Sequence, residues 1–231
     1  MRYLLFLFIG FLVAEVATLV TTVYLHRSST HKGIEFHPAV EFIFQFILWL
    51  TTGINRKEWV AVHLCHHAHT DEEGDPHSPI LLGFWAVQFG NVFLYKKATK
   101  DPKVMWYARD FKLSWAEKNI FKSHFWGLVF GIFLACYLFG FWGGLLVSLS
   151  HTIWYLGLNS LVNAYCHVRG YKNHPQAHGY NSHWVAWLTG GEGFHNDHHF
   201  KPGNPKLSER SVEFDLGWGL ILFLSKLGLA S

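Results

Sequence analysis

Charge is scarce in this chain. Only 15% of its 231 residues are Asp, Glu, Lys or Arg, against 50% that are hydrophobic. The formal charge of +3 is modest and no Lys/Arg run resembles a nucleic-acid footprint, so nucleic acid is not expected as a partner. Cysteine is scarcer still. Cys65, Cys136 and Cys166 form no CxxC, and the last two lie in apolar runs, which argues for small buried side chains and against a disulfide framework. Internal repeats, low-complexity stretches and linkers are absent. No small-residue cleavage site follows the N-terminal apolar run, so that run is expected to be a retained span and not a signal peptide.

Apolar and aromatic side chains take the place of charge. Eleven residues are Trp, a residue favoured with Tyr near membrane interfaces. Leu4 to Leu25 is about long enough to cross a hydrocarbon core of roughly 30 Å as a helix. Its one charge, Glu15, is expected to face protein or to be protonated, because an ionisable group facing lipid is expensive. Ala39 to Ile54 is short and carries Glu41 and Gln45, and Ile80 to Tyr95 is broken by Gly83, Gly90 and Asn91; both read as re-entrant or interfacial. His124 to Phe141 and Leu145 to Cys166 read as second and third spans, joined at the uncharged Gly143-Gly144. Leu216 to Leu229, Gly-interrupted and carrying Lys226, reads as an amphipathic surface helix. The basic stretch opening at KKATKDPK marks residues 96–122 as cytoplasmic.

Histidine is the residue in excess, with 17 in the chain. GEGFHNDHHF holds His195, His198 and His199; HLCHH repeats that spacing with His63, His66 and His67; HRSSTH adds His26 and His31. Residues i, i+3 and i+4 share one helix face, so each trio is expected to converge on one point. His26 and His31 would lie roughly 140° apart on a regular helix. For both to reach one centre, the chain there must leave the α-helix or turn around the metal.

Imidazole suits Fe, Zn, Cu and Ni, and eight clustered imidazoles exceed the needs of one ion, so two ions are implied. A closed structural zinc site uses four ligands and would leave half of them unexplained. Ligating imidazoles usually donate their second N–H to a carboxylate or carbonyl; Asp71, Asp75, Glu192 and Asp197 are the nearby acids for that role. His69 and His77 flank the second cluster as supports. His37, His124, His151, His174, His178 and His183 read as interfacial or hydrogen-bonded residues.

The clusters can share a site only on one membrane face, which requires that Ala39 to Ile54 not cross. The expected fold is therefore an all-α integral membrane protein, one domain over residues 1–231. Its three transmembrane helices are residues 4–25, 124–141 and 145–166, with the N-terminus outside. A cytoplasmic helical cap of residues 26–122 and 167–231 holds the dimetal site. Apolar walls above such a site would hold a long acyl or alkyl chain. Its unactivated C–H bonds require redox-active metal and O₂, which favours iron.

The three clusters, in this order, resemble the histidine boxes of the membrane fatty acid desaturases. The likeness is closest to the acyl-CoA Δ9 branch, through Glu58-Trp59, Asp75-Pro76-His77 and LVNAYCH, and covers roughly residues 20 to 225. It implies a di-iron centre that uses O₂ and two external electrons to leave a cis double bond and two waters. It also implies His167 as a ninth histidine ligand and Asn163 as the holder of a metal-bound water. Zinc can replace iron in overexpressed members. The family's acyl tunnel closes against the helix entering the first box, which points here to Gly10 and Ala14, both small enough to admit long chains. The chain departs from the family in having one span, not a hairpin, before the first box. No HPGG haem signature occurs, so electrons are expected from a separate protein. The substrate is a long acyl chain linked to CoA, a carrier protein or a membrane lipid. Two other readings are a fatty acyl or alkyl hydroxylase on the same scaffold and a membrane metal transporter. The transporter would place His or acids in mid-span, where only Glu15 and His151 lie.

Overall fold

The computed structural model describes residues Met1–Ser231. All regular structure is helical; the β pairing is confined to isolated bridges such as Phe36 with Ala230 and Tyr171 with Asn181. The helices are α1 (Arg2–Val20), α2 (Pro38–Thr51), α3 (Arg56–Ala68), α4 (Pro79–Leu82), α5 (Phe84–Ala98) and α6 (Pro102–Met105). They continue with α7 (Trp115–Asn119), α8 (His124–Phe139), α9 (Phe141–Tyr165), α10 (His183–Leu188), α11 (His195–Phe200) and α12 (Leu216–Lys226).

Helix α9 is the axis of the apolar tier, with α1, α5 and α8 packed on it and α2 against α8. Small residues set the α1–α9 crossing. A Cβ on Gly10 would lie 2.5 Å from the Val147 carbonyl oxygen and 2.6 Å from the Ser150 Cβ. Ser150 donates its hydroxyl to the Leu7 carbonyl at 2.7 Å, and Ala14 and Ala17 seat against Tyr155. Close backbone approach through small residues is how helices associate where lipid offers no hydrophobic driving force.

Two helices are long and apolar enough to cross a membrane by length and composition, Arg2–Thr30 and Phe141–Tyr165. The third expected span differs. Helix α8 has 16 residues and spans about 24 Å at 1.5 Å per residue, short of a core of roughly 30 Å. The hinge between α8 and α9 also lies earlier than expected, at Gly140, whose φ of +74° breaks the helix. Gly143 and Gly144 instead sit in the first turn of α9, where a Cβ on Gly144 would collide with the backbone of Cys136. Helix α2, at 14 residues, is too short to span.

Below the apolar tier, α1 continues without interruption as a π-helix over Thr21–Thr30, every residue of which is buried. The wider i→i+5 turn brings residues five apart nearly one above the other. His31 N–H donates to the His26 carbonyl at 3.1 Å, and the two imidazole rings come within 4.9 Å. The spacing that no α-helix could reconcile is reconciled by the winding of the helix itself.

Arg27 fastens this segment to the C-terminal third. Its side chain is 1% exposed and donates to Asp215 Oδ1 at 2.9 Å and Oδ2 at 3.0 Å. It also donates to the Gly190 and Pro205 carbonyls at 2.9 and 2.8 Å. Asp215 in turn accepts from Trp218 N, capping α12, and from Leu207 N. Removing one partner of a buried pair leaves an uncompensated charge, at a cost of about 3–5 kcal/mol. Asp215→Ala should therefore lower the unfolding temperature of the detergent-solubilised protein sharply. Asp110→Ala, at the exposed Arg109–Asp110 pair, should leave it nearly unchanged. Equal effects in the two variants would contradict the strut.

Candidate metal centre

Nine imidazoles meet beneath the apolar tier in two groups. His26, His31, His63, His67 and His198 form one, and His66, His167, His195 and His199 the other. The trios therefore do not converge each on a point, as their spacing predicted; they divide. Helix α3 sends His63 and His67 to the first group and His66 to the second. Helix α11 sends His195 and His199 to the second and His198 to the first. The reason is angular. Positions i and i+4 lie about 40° apart on a helix, while i+3 falls about 60° to the other side of i. In both helices the i, i+4 pair stays together and the i+3 residue crosses over, so each helix serves both groups.

Within the groups the Nε2 atoms face one another. In the first, the contacts run His26–His198 at 3.0 Å, His198–His67 at 2.9 Å, His67–His63 at 3.0 Å and His63–His31 at 2.9 Å. In the second, His167–His195 is 2.9 Å and His199–His195 is 3.1 Å. Carboxylates hold three of the rings from behind. His26 Nδ1 donates to Glu192 at 2.7 Å, His66 Nδ1 to Asp75 at 2.9 Å and His167 Nδ1 to Asp71 at 2.8 Å. An ionised carboxylate can only accept, so the proton sits on Nδ1 and the Nε2 lone pair points inward. His66 Nε2 is buried with no protein partner at all.

Bare lone pairs facing each other at these distances need a cation between them, so the donor set fits bound metal. At a metal–nitrogen distance of about 2.1 Å, nitrogens sharing one ion lie about 3.0–3.4 Å apart, and contacts of 2.9–3.1 Å fit such a shell.

The electrostatics agree. Burial, reinforced by neighbouring imidazoles, holds His31, His63, His66, His195, His198 and His199 well below the ordinary imidazole value, and pushes His67 down to about 3. All are neutral and ready to ligate. Burial raises Glu192, but His26, Arg27 and Thr22 outweigh it and hold the carboxyl below its usual range. Asp71 is likewise held down, its burial outweighed by His167 and Ser78. Asp75 is pushed up to about 6 by burial.

Asp197 takes no part in this support. Its Oδ2 accepts from Asn173 Nδ2 at 2.9 Å and no oxygen bonds any of the nine imidazoles, because its side chain leaves α11 on the outer face. His77, expected as a support, stacks on His66 with ring centroids 4.6 Å apart. His69 instead pairs with the Tyr107 hydroxyl at 3.0 Å.

A cavity of about 90 Å³ opens onto both groups. His26, His63 and His195 lie in its wall, as does Asn163. The rest of its lining includes Thr18, Thr21 and Thr22 from the first helix, Asn91 and Tyr95 from α5, and Leu158, Asn159 and Val162 from α9. Gly10 and Ala14 are not in this wall. They are spent on the contact with α9, and the cavity reaches only as far back as Thr18.

Two residues outside the expected ligands and supports also shape the site. Asn196, fully buried inside HNDHH, accepts from Asn173 N and His174 N and donates to the His174 and His178 carbonyls. It anchors α11 to the loop before it. Trp59 stacks on His63 with centroids 4.8 Å apart and planes 11° from parallel, which fixes that ring's orientation.

The family model described as fatty acid desaturase matches residues 2–206. The Delta-9 desaturase-like 2 protein of Arabidopsis thaliana is 32% identical, over 96% of this chain and 74% of its own length. Delta-9 acyl-lipid desaturase 1 of the same plant is 28% identical, over 96% of this chain and 73% of its own. Acyl-CoA 5-desaturase AL21 of Anemone leveillei is 29% identical, over 91% and 66% respectively.

If the three carboxylates set ring orientation, Asp71→Asn, Asp75→Asn and Glu192→Gln should each weaken metal binding about 10–100-fold. Competition against a graded series of chelators measures this, with Asp110→Asn, an exposed position, as the control. Affinities equal to the control would show the carboxylates to be bystanders.

Proposed function

Because the chain belongs to the fatty acid desaturase family, and so is an oxidoreductase acting on fatty acyl chains, we propose that it places a cis double bond at the Δ9 position of a long saturated acyl chain. The observation that carries this reading is the cavity lying against both imidazole groups, which lets one methylene pair reach two ions at once.

Two iron ions held by His26, His31, His63, His67 and His198 and by His66, His167, His195 and His199 would supply the redox chemistry with O₂ that an unactivated C–H bond requires. Nine convergent imidazoles exceed the four ligands of a closed structural zinc site, which supports a redox-active pair of ions such as iron. Zinc would still bind these nitrogens in overexpressed protein. The stoichiometry balances with one O₂, two electrons and two protons consumed, two hydrogens removed from adjacent carbons and two waters formed. Electrons come from a separate donor protein. The acyl group arrives on CoA, a carrier protein or a membrane lipid; relatives named as acyl-lipid and as acyl-CoA enzymes support both lipid and CoA.

The chain's own residues do the positioning. The threonines of the first helix and Leu158 and Val162 of α9 line the cavity that would hold the acyl chain. Asn163 lies in the same wall as His63 and His195, where its amide can hold a water beside the metal pair. Glu192, Asp71 and Asp75 keep the imidazoles aimed. The surrounding apolar tier excludes bulk water from the oxidant.

The membrane placement follows from exposed side chains. Leu4, Leu5 and Phe8 on α1, Phe125, Phe133 and Tyr137 on α8 and Leu149 and Ile153 on α9 all face outward. We read α1 and α9 as crossing the bilayer, with the shorter α8 beside them crossing where the bilayer thins locally to its length. Trp85, Phe89 and Phe93, an exposed i, i+4, i+8 stripe on α5, lie along its surface. The basic residues between Lys96 and Lys122 support a cytoplasmic position for the metal centre. One domain, residues 1–231, includes both the spans and the cap.

Expression in a host lacking the activity, followed by location of double bonds in its fatty acids, tests the reaction and its position together. A new Δ9 alkene that disappears with His198→Ala is expected. A Δ5 product would reassign the position, and an alcohol or a product that survives the mutation would refute the mechanism. Thr18→Phe, narrowing the far wall of the cavity, should shift the products toward shorter acyl chains in the same assay; an unchanged profile would show that the chain does not reach Thr18.

A further inference from the structure

On the outer face of α11, away from the nine imidazoles, a second group of potential ligands converges. His174 Nε2 lies 2.8 Å from Glu209 Oε2 and 3.9 Å from Asp197 Oδ1, and the three donor atoms fall within 4.8 Å of one another. Asp197 carries the argument. The residue is 4% exposed, and its Oδ1 is buried without a well-formed hydrogen bond, although its Oδ2 accepts from Asn173 and the Asn181 amide lies near the carboxylate. A buried carboxylate oxygen left bare costs free energy that an ordinary ion pair would have removed. Here the unpaired oxygen faces the one imidazole and one carboxylate able to share an ion with it.

The surroundings hold these three side chains in place before any ion arrives. His174 stacks on Phe200 with ring centroids 3.7 Å apart and planes 13° from parallel, which fixes the direction of Nε2. Glu213 orders the loop that presents Glu209. Its Oε2 accepts from the backbone N–H groups of Glu209 at 2.6 Å and Arg210 at 2.8 Å, and its Oε1 from the Tyr171 hydroxyl at 2.6 Å. The Glu209 side chain is 31% exposed, so an ion can enter from water. The cation now nearest is Lys201, whose Nζ lies 3.8 Å from Glu209 Oε1 on a 58% exposed side chain. It serves Glu209 and leaves Asp197 Oδ1 bare.

We propose that His174, Asp197 and Glu209 form a third cation site, which takes a divalent ion of zinc's class. One neutral imidazole and two carboxylates supply two negative charges and three N/O donors, a set zinc accepts with water completing the shell. An ion about 2.1 Å from each donor would subtend a near-right angle across the 2.8 Å edge and an obtuse one across the 3.9 Å edge. Such an ion ties α11 to the loops at residues 174 and 209. It braces from outside the helix that supplies His195, His198 and His199, and touches neither imidazole group.

The test is independent of the reaction assigned above. Tag-free, iron-loaded protein is titrated with Zn²⁺ by equilibrium dialysis, with zinc and iron counted in the same sample. One additional zinc per chain is expected with iron retained, together with a rise in unfolding temperature. Glu209→Gln and His174→Gln should each weaken that binding about tenfold or more while keeping the iron. Lys201→Met, which removes the competing ammonium, should tighten it severalfold. Retained iron in each variant certifies that the fold survives. Zinc that enters only as iron leaves, or a third equivalent that both variants keep, would overturn the site.

Discussion

Imidazole nitrogens separated by about 3 Å with their lone pairs turned inward are stable only around a cation, and the rest of the molecule follows from that constraint. Nine side chains must arrive from four stretches of chain, stay neutral and keep one orientation. Burial achieves neutrality by making protonation costly. Orientation is imposed from behind by Glu192, Asp71 and Asp75 and from the side by Trp59. Without the ion such an arrangement would be frustrated. The metal centre is therefore as much part of the fold as of the chemistry.

The scaffold separates two tasks. The apolar tier of α1, α5, α8 and α9 gains its stability from close helix contacts, with Gly10 and Ala14 used for packing. The polar tier is held by buried charge and amide networks, with Arg27–Asp215 and Asn196 as its principal ties. The first helix belongs to both. Its α-helical half packs in the apolar tier, and its π-helical half delivers His26 and His31 to the metal centre. The change of winding falls where the change of task falls. This agrees with the tendency of π segments to appear at functional sites. The cavity is built at the seam, with threonines and asparagines near the metal and aliphatic side chains beside them.

Much of this was legible in the sequence because the information is local. The i, i+3, i+4 spacing of the two trios, the five-residue spacing of His26 and His31 and the acids beside them are all short-range patterns. They named the residues that the fold brings together. Runs of apolar residues likewise located the long helices to within a few positions. Hydropathy was less reliable for the hinge, set at Gly143-Gly144 but found at Gly140, because three glycines in an apolar run look alike until packing against α8 selects one.

What only the tertiary structure decided was the partition and the depth of the site. Each trio divides between two groups because its partners come from other helices, and no spacing within one helix records which neighbour lies on which side. Gly10 and Ala14 were small for a reason that lies on α9, and Asp197 turned outward because Asn173 and His174 wait there. The sequence by itself determined which side chains the fold gathers into the candidate metal centre, since imidazoles are rare and helical periodicity is short. Which nitrogen faces which, and where the cavity ends, depend on contacts between residues over a hundred positions apart, such as His67 with His198, and these exist only once the chain has folded.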